Sequence, residues 1–107
     1  MVKIMKKLAT YLYVVRLDAD PEKEKEFNEW YNKEHIPALL QVPGVISANR
    51  FTSLEGTPKY IAVYELDNPN VRTSEAWKNA VAMTPRPEDV TIQNVARNVY
   101  ERIFPKQ

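Results

Sequence analysis

The sequence contains no cysteine. Disulfides, thiolate nucleophiles, cysteine-based zinc sites and iron–sulfur clusters are therefore excluded. It has one histidine, His35, so one chain cannot build a multi-histidine metal site. Glycine occurs only twice in 107 residues, and there is no glycine-rich phosphate loop or nucleophile elbow. Neither charge sign dominates, since 15 Lys and Arg face 14 Asp and Glu for a net charge of +1. Nucleic-acid binding through counterion release needs a basic face, and no run supplies one. No stretch approaches the ~20 apolar residues of a membrane span. Basic residues at 1–7 followed by apolar residues at 8–15 loosely mimic a secretory signal. That stretch, however, holds Thr10, Tyr11 and Tyr13 and runs into Arg16-Leu17-Asp18 without a small-residue cleavage site. We read residues 1–7 as a loose basic leader and expect a cytoplasmic protein.

What remains is an ordinary globular composition, 44% apolar and 27% charged. The length suits a single domain over residues 1–107 with one core. Eight prolines punctuate the chain, each where an element should begin or end. Residues 8–17 read as a strand with apolar residues on both parities. Asp20-Pro21 starts a helix, with Asp20 as N-cap and Pro21 at the first helical position. Phe27, Trp30, Tyr31, Glu34 and His35 fall on one arc of it. The helix should bend or end near Ile36-Pro37, because the residue before a proline avoids helical angles. Ala38 to Val42 is read as a further turn, which Pro43-Gly44 stops. Residues 45–53 and 59–66 read as a hairpin. Thr73 or Ser74 caps a second helix carrying Trp77, and the last strand is expected at residues 95–104.

The order is β-α-β-β-α-β. This predicts an α+β, ferredoxin-like fold, with a four-stranded antiparallel sheet and two helices on one face. Two helices cover only one face of a sheet. Yet strand one is apolar on both parities, and strand three carries Tyr60 and Tyr64 on one side and Ile61 and Val63 on the other. A second copy of the chain is the simplest cover.

The segment from Phe27 to Val45 resembles the helix-one motif of EthD-like proteins, within the dimeric α/β-barrel superfamily. It carries Trp30-Tyr31, then His35-Ile36-Pro37, then Val42-Pro43-Gly44-Val45 entering strand two, with Arg50-Phe51 inside that strand. The resemblance implies a homodimer whose two sheets face each other, and a cleft between each sheet and its own helices. The superfamily includes cofactor-free monooxygenases, cyclases, isomerases and haem-degrading enzymes, so fold membership does not fix a reaction.

His35 is the sharpest site candidate, as the only side chain with an ordinary pKa near neutrality. In a cleft it would act as acid/base, with Tyr31 positioning it or bonding the substrate oxygen and Trp30 forming a wall. The alternative is a fixture at the helix end that bonds the last carbonyls. Glu34 is read as reaching solvent, because glutamate is seldom buried. Tyr11, Tyr13, Tyr64 and Trp77 are candidate ligand-binding residues for an aromatic molecule, with core packing as the other role. Arg50 is a candidate carboxylate anchor, and ion pairing is the alternative for both Arg50 and Arg97. Residues 83–89 are read either as a flap over the cleft or as a plain connection.

The function expected is binding of a small hydrophobic or aromatic molecule. If the protein is an enzyme, the chemistry expected at His35 is cofactor-free isomerisation, cyclisation or monooxygenation, with no metal, nucleic acid or membrane involved. A non-catalytic or stress-associated dimer is the alternative, followed by haem binding with His35 as axial ligand.

Overall fold

The computed structural model describes residues 8–106. The leader expected at residues 1–7 lies outside them. Strand β1 (Tyr11–Ala19) leads to Asp20, whose carboxylate accepts from the Glu22 N–H at 3.0 Å. Pro21 opens a short 3-10 turn that runs into helix α1 (Glu24–Trp30). A π turn (Tyr31–His35) and helix α2 (Ile36–Leu40) continue without a break. The hairpin of β2 (Val45–Thr52) and β3 (Tyr60–Leu66) follows. Ser74 then caps α3 (Glu75–Met83) by accepting from the Trp77 N–H at 3.2 Å, and β4 (Ile92–Glu101) ends the sheet. The strand order is β2-β3-β1-β4, antiparallel throughout. The expected ferredoxin-like α+β fold is met.

Several boundaries differ from expectation. Near Ile36-Pro37, where the sequence predicts a bend or an end, the helix does not end but runs on into the further turn at α2. Proline lacks an N–H, and its ring collides with a carbonyl four residues back in ordinary α geometry. The helix widens instead, and the Ile36 N–H bonds the Tyr31 carbonyl five residues back. The first and last strands are also shifted: β1 starts at Tyr11 and β4 spans Ile92–Glu101. An irregularity between Arg16 and Asp18 lets Asp18 pair with Gln93 and Ala19 with Ile92. Asn94, at φ 54°, turns its amide onto Asp18 at 2.7 Å. At its other end β4 stops at Glu101, which lies opposite Tyr11, the first residue of β1.

The core sits between helices and sheet. Tyr13, Val15 and Leu17 of β1 and Tyr60, Ala62, Tyr64 and Leu66 of β3 share that face and are buried against Phe27, Leu39 and Trp77. Phe27 and Leu39 are each 1% exposed, and burial of such a side chain stabilises by ~1.5–3 kcal/mol. Glu34, on the apolar arc, is exposed as expected. The other sheet face carries Leu12, Val14, Ile61 and Val63, flanked by Phe51 and Tyr100 through the strand register. No helix of the described chain covers it. Phe51 is 58% and Tyr100 44% exposed. Arg16, Glu65 and Asn98 interrupt the apolar surface.

Candidate functional site

A cavity of about 550 Å³ lies between the sheet and the helices, within the range of small-molecule pockets. Its walls are largely aromatic. Tyr13 stacks on Tyr64, with ring centroids 5.6 Å apart. Trp77 meets both edge-on at 5.3 and 5.4 Å. Trp30, Tyr31 and His35 of the first helix close another side.

His35 is fixed from three directions. Trp30 stacks on its ring at 4.7 Å, and Tyr31 stands edge-on at 5.1 Å. Nδ1 lies 3.0 Å from Oγ1 of Thr84, the one polar residue that is buried among those described. Thr84 Oγ1 donates its proton to the Ala80 carbonyl at 2.9 Å. A hydroxyl has one proton to give, so toward His35 it accepts, and Nδ1 carries the imidazole hydrogen. Nε2 is left with its lone pair and makes no hydrogen bond among the described residues. Burial pushes the imidazole pKa down to about 4, because a charged ring loses its hydration there. His35 is neutral at neutral pH. The helix runs on to Leu40, so His35 does not cap a helix end and gains nothing from the negative helix terminus.

Tyr31 and Tyr64 bring their hydroxyls within 3.2 Å of each other. Burial pushes both phenols above their ordinary value. They are neutral hydrogen-bonding groups rather than bases. The Arg50 guanidinium lies 4.3 Å over the Tyr31 ring, and its two terminal nitrogens donate to Asn32 and Asn28, each at 2.8 Å.

The structure thus gathers His35, Tyr31, Trp30, Tyr13, Tyr64 and Trp77 around one cavity. It leaves out two candidates. Tyr11 lies at the first position of β1, packed against the core's edge. Arg50 lies on edge strand β2, where the Tyr31 ring stands between it and the cavity. Arg97, on the opposite edge strand β4, lines the cavity instead. Within the one chain, neither Arg50 nor Arg97 forms an ion pair among the described residues. Arg72 is a site residue that sequence reasoning missed, and Thr84 and Arg86 line the cavity from the 83–89 segment, which reads as a flap or a connection with no role given to either residue. Their only signal was position in and around α3 and the loop after it. Among the described residues, no group of three His, Cys, Asp or Glu side chains could hold a metal ion.

Residues 10–84 match the model of a family described as a domain of unknown function, DUF4286. The chain belongs to the DUF4286 family. The match spans both His35 and Thr84 and stops short of Arg86 and Arg97. No curated protein sequence matches this DUF4286 member. Solved structures share its fold. The haem degrader MhuD of Mycobacterium tuberculosis, with two haems bound in its active site, superposes with a TM-score of 0.68 at 12% identity, covering 91% of this chain and 99% of that one. A conserved protein of Methanosarcina mazei gives a TM-score of 0.61 at 20% identity, covering 88% and 94%. An EthD family protein of Bacillus halodurans gives 0.57 at 17% identity, covering 87% and 99%. The EthD-like resemblance is met at the level of fold. No helix among the described residues is long and apolar enough to cross a membrane.

Proposed function

We propose that this DUF4286 protein is a homodimer that binds a small aromatic molecule in the helix–sheet cavity, with His35 Nε2 as the proton-accepting group. The observation that carries the reading is the pairing of a preformed aromatic cavity with a histidine whose Nδ1 is occupied by Thr84 and whose Nε2 is not. Tyr31 and Tyr64 supply a neutral hydroxyl pair to orient a ligand oxygen. The simplest chemistry is proton transfer beside a carbonyl, as in isomerisation or aldol-type cyclisation, with substrate-assisted monooxygenation close behind. The dimer is supported by the uncovered apolar sheet face around Ile61, Val63 and Phe51. A cytoplasmic setting suits a chain without cysteine.

The test follows His35 by NMR while aromatic ketones are added, and measures hydrogen–deuterium exchange beside the carbonyl in heavy water. A ketone that moves the His35 signal and exchanges faster with wild type than with His35→Ala supports both halves. Binding without accelerated exchange reduces the protein to a binding module. An unmoved signal with every compound sinks the reading.

One observation favours a second reading. A neutral imidazole with Nδ1–H held and Nε2 bare is the form that ligates a metal. Haem fits the aromatic walls and that nitrogen, which would hold its iron. A Soret band that grows on haem titration and is lost in His35→Ala would select this reading.

A further inference from the structure

The cavity rim is cationic and unanswered. Arg72, Lys78, Arg86 and Arg97 line the cavity, and no Asp or Glu does. They come from different parts of the chain: Arg72 from the turn before α3, Lys78 from α3, Arg86 from the following loop and Arg97 from β4. A solvated charged face normally mixes both signs, as the whole chain does with 15 basic and 14 acidic residues. Four cations around one opening depart from that balance.

The individual contacts sharpen the point. Arg86 Nε donates to the Val90 carbonyl at 2.9 Å. This holds the guanidinium plane while its two terminal nitrogens bond nothing among the described residues. That fork matches a carboxylate, and fixing it beforehand lowers the cost of binding. Arg72 lies 5.0 Å over the Tyr13 ring and forms no ion pair among the described residues. The Arg97 side chain likewise has no hydrogen bond or ion pair among the described residues. Lys78 alone has an acidic neighbour, Glu75 at 3.8 Å, on the exposed side of α3. Behind the rim the walls are Tyr13, Trp77 and Tyr64. Aromatic walls beneath a cationic mouth suit one kind of molecule, a flat apolar body with an anionic end.

We propose that the ligand of this cavity is an aromatic carboxylate, with its ring among the buried aromatics and its carboxylate at the arginine rim held chiefly by Arg86 and Arg97. The inference rests on the cavity being a ligand site and adds the charge of the ligand.

The experiment compares matched pairs by calorimetry on the full chain: benzoate with benzamide, naphthoate with naphthamide, and anthracene carboxylate with its amide. His35 is followed by NMR in the same samples. For the ring size that fits, the acid binds wild type tighter than the amide by about tenfold or more. That ratio falls toward one in Arg86→Gln and in Arg97→Gln, while the amide binds them as it binds wild type. Arg86→Lys keeps the charge without the fork and falls between. An amide that binds wild type as tightly as its acid, and still moves His35, overturns the carboxylate and leaves the cavity reading standing. An acid preference undiminished in the double arginine variant also overturns it. Failure of every acid and every amide to bind or to move His35 overturns both. Thermal melts that match wild type keep the variant data interpretable.

Discussion

The hydroxyl of Thr84 lies 3.0 Å from His35 Nδ1 and 2.9 Å from the Ala80 carbonyl, so a residue 49 positions away sets the tautomer of the only histidine. The Thr84 backbone carbonyl also accepts from Trp30 Nε1 at 3.2 Å. One residue at the end of α3 therefore holds both the imidazole and the indole stacked on it.

Replacing that hydroxyl should be felt twice. Thr84→Val keeps the shape but leaves Nδ1–H without its acceptor. Stability should fall by ~1–3 kcal/mol, the usual cost of a buried polar group left unpaired. Nitrogen chemical shifts of His35 should show the Nδ1–H form losing its dominance. Thr84→Ser should restore both. A valine variant with unchanged tautomer and melting curve would refute the link.

The His35 pKa has a consequence for folding. It is about 4 when folded and 6.5 for the free side chain. Between those values the unfolded chain binds a proton that the folded chain does not. Stability from this group is therefore complete above about pH 6.5 and is lost as the pH falls through about 4. The loss is at most ~3 kcal/mol, less the part that the half-open cavity screens. Denaturant unfolding at several pH values should show a smaller acid loss for His35→Asn than for wild type. The His35 ring proton should titrate well below pH 6.5.

The uncovered sheet face predicts the assembly. Val63→Lys places a charge between Val14 and Asn49 in the sheet register. A dimer formed over this face should fall to a monomer in light scattering, because a buried unpaired charge is costly. The helices pack on the opposite face, so circular dichroism should be kept. A variant that stays dimeric would place the interface elsewhere.

Two glycines with nearly equal angles should respond unequally to alanine. Gly44 sits at φ +96°, and a Cβ there would meet Val71 Cγ2 at 2.5 Å and Asp67 Oδ1 at 2.8 Å. Gly56 sits at φ +92° with nothing within 4 Å of such a Cβ. Gly56→Ala should cost only the backbone strain, ~1 kcal/mol. Gly44→Ala should cost clearly more, since the neighbours must also move. Melting temperatures of the two variants settle the order.

Most of this architecture was legible in residue pattern. Asp20-Pro21 and Ser74 mark their helix starts by cap chemistry that is local to the sequence. The alternation of strands one and three sorts their residues into two faces, but both faces are apolar, so only the packed helices decide that Tyr13, Val15, Leu17, Tyr60, Ala62 and Tyr64 face the core. What escaped notice depends on non-local geometry. Arg50 and Arg97 look alike as charges within strands. Only the order β2-β3-β1-β4 sends them to opposite edges, with one behind Tyr31 and the other at the cavity. Thr84 has no motif around it, and its role exists only once α3 packs beside the first helix. The π turn was invisible to a reading at a constant ~100° per residue, so Pro37 marked a bend or an end without showing that the helix widens there instead.

That widened turn can be viewed as an indel. Between Tyr31 and His35 the helix holds one residue more than regular winding needs, and it carries Phe27 and Leu39 onto the same core on either side. A surplus of this kind is a length change that a helix absorbs without turning its two halves against each other. Relatives lacking one residue there would keep the fold and differ in how this stretch meets the cavity. The segment bearing His35 is thus where the chain can alter its chemistry while leaving its scaffold alone.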